Sequence, residues 1–175
     1  VGYQTGYLKA HYPAEYMAAV LSNNMNNMDE ITKFMDDIKK HDIKILGPDV
    51  NESFTQFTVN KQGNVRFGMA GVKGIGENAV NSIIQEREEN GTYKDIFDFI
   101  ERINLTAVNK KGIESLVGSG ALDCFTEINR GTFAVDLGKG ETFADNLLRY
   151  GNKFQKSTTD ASTSLFGGET SVEIA

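Results

Sequence analysis

The chain has 175 residues, of which 39% are hydrophobic, and a formal net charge of -6. It is long enough to bury an ordinary core and too apolar for wholesale disorder, so one or two small units are expected. No run approaches the roughly 18 apolar residues of a membrane helix, and the opening VGYQTGYLKAHY lacks the basic start and apolar centre of a signal peptide. A soluble, cytoplasmic protein with no membrane partner is the expectation. The single Cys124 excludes an internal disulfide, and His11 and His41 have no Cys or carboxylate partners at metal-ligand spacing, so no structural metal is expected.

Tyr3, Tyr7 and Leu8 have the spacing of a helix in progress, and with no initiator Met the chain reads as a fragment of a larger parent. Pro13 stands where a helix accepts it best, and PAEYMAAVLSNNM continues as helix until the Asn23, Asn24, Asn26, Asn27 cluster. Ile31, Phe34, Met35 and Ile38 then share one face of an amphipathic helix. Asp29 and Glu30 stand at its start, and Lys39, Lys40 and His41 at its end, matching the helix dipole. The run IKIL, stopped by Gly47-Pro48, predicts a short strand, and FTQFTV and VRFGM flank a turn over Lys61 to Asn64 as a small hairpin. Helical spacing returns with Ile96, Phe97, Ile100 and Ile103, then with Val108, Ile113, Leu116 and Val117. The expected fold is mainly α with a small β-hairpin.

Few residues offer catalytic chemistry. Asp36-Asp37 and the Glu86, Glu88, Glu89 cluster read as solvated helix faces, because consecutive helical residues point about 100° apart and do not readily share an ion. The five methionines, Met17, Met25, Met28, Met35 and Met69, read as core filler, and neither histidine has an orienting acid for a nucleophile set. No catalytic residue is expected here.

The stretch FGMAGVKGIGENAVNSIIQERE contains Gly74-Ile75-Gly76-Glu77-Asn78-Ala79, the G-x-G-x-x-A form of the dinucleotide fingerprint, with Asp95 downstream. That reading requires a buried strand after the helix, whereas NGTYKDIFDFIERI has helical period. A helix-hairpin-helix fits better. A short helix over Gly68 to Val72 meets a hairpin, Lys73 to Gly76, and a second helix leaves from Glu77. Gly74 and Gly76 can take backbone angles closed to other residues, and their N–H groups, with the positive helix end, can face a phosphate oxygen. Ile75 would pin the hairpin inward, Ala79 would allow close helix approach, and Lys73 adds charge. Spacing alone leaves open a glycine-capped connection with no ligand. NKKGIESLVGSGALDCF reads as a second copy, with Gly118, Ser119 and Gly120 as its hairpin and Lys110 and Lys111 nearby. Ser119 replaces the apolar central residue, so this copy can be mainly architectural. Lys61 to Phe125 holds 8 basic and 9 acidic residues, so any phosphate grip must come from local dipoles and a few lysines.

In order and spacing, YQTGYLKAHYPAEYMAAVLSNNM, IKILGPDVNES, VRFGMAGVKGIGENAVNSIIQERE and NKKGIESLVGSGALDCF resemble the alpha subunit of bacterial DNA polymerase III, over residues 1 to about 130. The resemblance implies that residues 1–52 end the fingers region and that 53–125 form a tandem helix-hairpin-helix unit against duplex DNA. Residues 126–156 would then be a linking helix and 157–175 a flexible tail. It implies a DNA-directed DNA polymerase as parent, with magnesium held by palm aspartates that this segment lacks, so that the segment itself is inert and needs no cofactor. Implied partners are the primer-template duplex, the sliding clamp and other subunits of the polymerase III holoenzyme. The clamp would bind a Gln-x-x-Leu-Phe-like motif at Ser162, Thr163, Ser164, Leu165 and Phe166, where Ser162 replaces the family's Gln. Gly47, where the family often has proline, and GKGETFADNLLRYGNKFQ follow the family less closely. A different class is a protein-interaction module of the replisome whose hairpins are purely structural.

Overall fold

The helix expected to be in progress at the start is present. In the computed structural model, which describes residues 2–135 and 141–166, α1 (Gly2–His11) leads into α2 (Pro13–Asn23), with Pro13 in its opening turn. Proline is tolerated there because the first amides of a helix have no intrahelical acceptor. The asparagine cluster does two jobs. Asn24 Nδ2 donates back to the Val20 carbonyl at 2.8 Å, closing α2, while Asn27 caps α3 (Met28–Lys39) by accepting from the Glu30 amide at 3.2 Å.

Three two-residue strands follow: β1 (Ile45–Leu46), β2 (Thr58–Val59) and β3 (Val65–Arg66). β2 and β3 pair antiparallel as the expected hairpin, and Asn60 Oδ1 fixes its turn by accepting from the amides of Gln62 and Asn64. β1 lies parallel to β3, with Ile45 opposite Val65, a long-range pairing that no local pattern encodes.

Two cores organise the chain. The first joins Met17 and Leu21 of α2 to Ile31 and Ile38 of α3, and also to Phe57 and Val65. The hairpin therefore packs with the helices before it. Phe57 and Phe67 close the first core with ring centroids 4.5 Å apart, and the Phe57 amide donates to Ser22 Oγ. The second core begins earlier, at Val50, and runs to Leu147. It is built on α4 (Glu77–Asn90), α5 (Ile96–Arg102) and α6 (Lys110–Ser119), whose Ile83, Phe99, Ile100, Ile113 and Leu116 are fully buried. Each such side chain contributes on the order of 2 kcal/mol. Arg87 of α4 staples the segment from Val50 to Phe54 onto the second core: its guanidinium donates to the Val50 and Ser53 carbonyls at 2.9 and 2.8 Å and lies over the Phe54 ring.

The linking region differs from expectation. A four-residue α7 (Arg130–Phe133) comes first, and the long helix α8 (Phe143–Phe166) starts only where Asp145 accepts from the Thr142 amide and hydroxyl. Gly151 lets α8 lie against α5, since a β-carbon there would stand 2.4 Å from Ile100 Cγ2. Gln155 Nε2 donates to the Glu101 and Ile103 carbonyls, satisfying the end of α5. α8 continues as helix from Ser157 to Phe166. Ser157 and Thr158 bond back to the Phe154 carbonyl, so their hydroxyls support the turn rather than compete with it. Among the described residues no helix is long and apolar enough to cross a membrane.

Candidate nucleic-acid interface

The first glycine pair lies between two helical pieces, as the motif requires. A 3₁₀ turn over Met69–Gly71 leads into the hairpin, and α4 leaves from Gly76 as its N-cap. Ile75 and Ala79 point into the second core, while Lys73, Gly74, Gly76, Glu77 and Asn78 are exposed. Gly74 has φ +99°, in the region that favours glycine, and a β-carbon there would stand 2.4 Å from Ser115 Oγ of α6. Gly76 corrects the expectation of special backbone at both glycines. Its φ of -81° suits any residue and nothing lies within 4 Å of its β position.

What Gly76 lacks is a side chain that could cap. Helices α3, α5, α6 and α7 begin with Asn27, Asp95, Asn109 and Asn129, and each side chain accepts from an amide of its own first turn. α4 has no such bond. Among the described residues the amides of Gly76, Glu77, Asn78 and Ala79 donate to no protein acceptor. They stand at the positive end of a 14-residue helix, beside an exposed glycine turn.

The basic residues separate by what holds them. Arg66 pairs with Glu52; Arg87 is the staple described above; Arg102 bonds Glu86 and Asp98 and lies over Tyr93. Lys110 is paired with Asp145 at 2.8 Å and lies 3.9 Å from Glu114. That bond raises the Lys110 pKa and, with the two bonds from Thr142, lowers Asp145 to about 2. Among the described residues Lys73 and Lys111 form no ion pair, and Lys111 Cε comes within 3.8 Å of the β position of Gly74. The structure thus brings Lys111, grouped in sequence with the second glycine pair, to the first.

The second pair is not a second hairpin of the same kind. Gly118 lies inside the last turn of α6, and Gly120, φ +85°, ends the helix. The Ala121 amide donates to Leu116 O at 2.9 Å and the Gly120 amide to Val117 O at 3.0 Å, the bonding of a Schellman cap. Ser119 Oγ donates to Leu116 O. These donors are consumed, and they sit at the negative end of a helix. Arg130 closes over Gly120 and pairs with Asp123. No helix starts directly after the turn, since α7 begins only at Arg130. Gly118, Ser119 and Gly120 therefore form the C-terminal cap of α6.

Other sequence candidates settle similarly. Asp95 caps α5 through the Phe97 and Asp98 amides, and among the described residues no strand follows α4, which removes the dinucleotide arrangement. Asp36 and Asp37 pair with Lys39 and Lys9, and Glu86 with Arg102. Among the described residues no three His, Cys, Asp or Glu side chains gather to hold a metal. Ser162, Thr163, Ser164, Leu165 and Phe166 form the last turns of α8, and their side chains lie outside the described part. Sequence reading missed Ser115. Its only signal was its place four residues after Lys111, on the same helix face.

A family model described as helix-hairpin-helix motif matches residues 42–133. The chain is 44% identical over 123 residues, 70% of its length, to the DNA polymerase III subunit alpha of Pseudomonas fluorescens. It is 35% identical over 167 residues, 95% of its length, to that of Haemophilus influenzae, and 42% identical over 123 residues, again 70%, to that of Vibrio cholerae. It spans 10%, 14% and 11% of the length of these three relatives.

Proposed function

The chain belongs to the helix-hairpin-helix family and corresponds to a segment of DNA polymerase III alpha subunits, and on that premise we propose that it grips the backbone of duplex DNA for a bacterial replicative polymerase. The contact is made by the Lys73 to Gly76 hairpin and is indifferent to base sequence. The observation that carries this reading is the start of α4: among the described residues, four amides without acceptors and two lysines without ion pairs stand at a positive helix end beside a glycine turn. Backbone donors of this kind hold a phosphate oxygen without net positive charge and carry no sequence information.

In this reading residues from α1 to the hairpin support the fingers of the parent DNA-directed DNA polymerase in the cytoplasm. The segment itself catalyses nothing. Magnesium for phosphoryl transfer would be held by carboxylates elsewhere in the parent. The end of α8, from Ser162 to Phe166, would reach the sliding clamp, and other holoenzyme subunits would complete the assembly.

The test is a fluorescence-anisotropy titration of the intact polymerase with primer-template duplexes of unrelated sequence, across salt. Equal affinities are expected, and Lys73→Ala should flatten the slope of log K against log salt by about 0.9. A Lys73→Ala polymerase with unchanged affinity and slope, together with a Gly74→Val polymerase that binds normally, would overturn the reading.

A further inference from the structure

We propose that the pocket lined by Arg87, between the β2–β3 hairpin and the last turn of α4, seats a carboxylate from an acidic segment of the parent polypeptide outside these 175 residues, an aspartate or glutamate flanked by an apolar side chain. The inference does not use the DNA contact at the first glycine turn. Three observations carry it.

First, Arg87 is a buried cation without an anion. It is 7% exposed, and among the described residues it forms no ion pair. Both bonds of the staple come from Nη1, which leaves Nε and Nη2 without a protein acceptor. These two nitrogens are not sealed in, because among the described residues the buried side-chain nitrogen without a partner is Arg66 Nε. Nε and Nη2 form one edge of the guanidinium, a pair of parallel donors that matches the two oxygens of a carboxylate. Burial holds the Arg87 pKa below its ordinary value, further than the charges of Glu88, Asp49 and Glu52 restore it.

Second, the pocket is large enough for a side chain and has complementary walls. Its volume is about 640 Å³, with Phe54 and Val59 as apolar lining and Lys61 as a second cation. Phe54 is 42% exposed even with Arg87 over its ring, and among the described residues Lys61 forms no ion pair. Of the two acids in the lining, Glu52 is held by Arg66, and Glu88 is exposed. The lining therefore suits one carboxylate beside an apolar group, and its acids disfavour a polyanion.

Third, the source follows from strength and tethering. A single carboxylate contact is weak between separate molecules, but this chain spans a small part of the polymerase subunits it matches, so the rest of the polypeptide is attached to the pocket. Attachment gives an effective concentration on the order of millimolar.

The experiment is zero-length carbodiimide cross-linking of the intact polymerase, which joins an amine to a carboxylate already in contact, read by peptide mass spectrometry. Lys61 is expected to join an Asp or Glu of the same polypeptide outside these residues. In Arg87→Lys the amine put in place of the guanidinium should trap that same carboxylate, and Phe54→Ala should lower the Lys61 yield about fivefold. Thermal unfolding checks that each variant is folded; if Arg87→Lys is not, Lys61 and Phe54→Ala decide the matter. Cross-links from Lys61 to Glu52 or Glu88 alone, or none, would overturn the proposal. So would a Phe54→Ala yield equal to wild type. A mixture of isotopically light and heavy polymerase distinguishes the source, since light–heavy cross-linked pairs would mean a second copy in the pocket and the tethered segment would be wrong.

Discussion

The two glycine pairs share a spacing and differ in what comes after them. Gly74 and Gly76 precede a helix, while Gly118 and Gly120 end one. A helix start leaves N–H groups without acceptors and carries partial positive charge; a helix end leaves carbonyls and carries partial negative charge. At the first pair the glycine N-cap cannot reach back to the amides it exposes. At the second, the amides of Gly120 and Ala121 are turned inward onto Val117 and Leu116 carbonyls. A G-x-G spacing thus reports a tight turn, and the polarity of the adjoining helix decides whether that turn can receive an anion.

The largest test replaces the two left-handed glycines. Gly74→Val forces a β-branched residue to φ +99° and drives its β-carbon into Ser115, so about 2–4 kcal/mol of stability and at least tenfold of duplex affinity should be lost. Gly120→Val meets the movable end of the Arg130 side chain, and about 1–2 kcal/mol is expected from backbone strain alone. Its affinity per folded molecule should be unchanged. Urea unfolding and duplex titration on the same preparations measure both quantities. Equal affinity losses in the two variants would abolish the distinction between the turns.

A subtler change gives stability and binding opposite signs. Gly76→Asp places a carboxylate at an N-cap whose φ and ψ already suit it, -81° and 154°, with open space around the new side chain. The fold should gain about 0.5–1 kcal/mol as the carboxylate accepts from the α4 amides. Duplex affinity should fall about tenfold, because an internal anion occupies the place of the phosphate. A stabilised variant that binds DNA as well as wild type would mean that those amides face nothing in the complex.

Much of this was legible in the sequence where the cause is local. Pro13, the asparagine cluster, the hairpin turn over Lys61 to Asn64 and the Ile75 anchor follow from local chemistry, and each stands as that chemistry dictates. The parallel pairing of β1 with β3, the placement of the hairpin on the first core and the helical run from Ser157 to Phe166 were not legible. The first two depend on contacts between residues far apart in sequence. The third depends on hydroxyl groups bonding back along the helix, a choice composition leaves open. The site divides the same way. The first turn could be read from its glycines, but which of eight basic residues stay free depends on Asp145, Glu52 and Glu86 arriving from distant elements.

The smallest effect tests why Lys110 and Lys111, adjacent in sequence, part company. Lys110 is drawn toward α8 by Asp145, whose carboxyl is lowered to about 2 first by that bond and then by the Thr142 amide and hydroxyl. A carboxyl whose folded pKa lies below its unfolded value of 3.8 stabilises the fold above that value, and the contribution is lost as pH falls from about 3.8 to about 2. Asp145→Asn keeps an acceptor for Thr142 but removes the charge, so its melting temperature should fall less steeply than that of wild type across that window. Asp123, lowered by Arg130 beneath Gly120, is untouched by the change and should keep part of the acid limb in both proteins. Above pH 5 the variant should be slightly less stable, with Lys110 released from α8. Because the freed ammonium starts α6 one residue before Lys111, the salt slope of duplex binding should then steepen. Identical acid limbs in the two proteins would show that the pair is not formed in solution, and the contrast between the two lysines would have to rest on position alone.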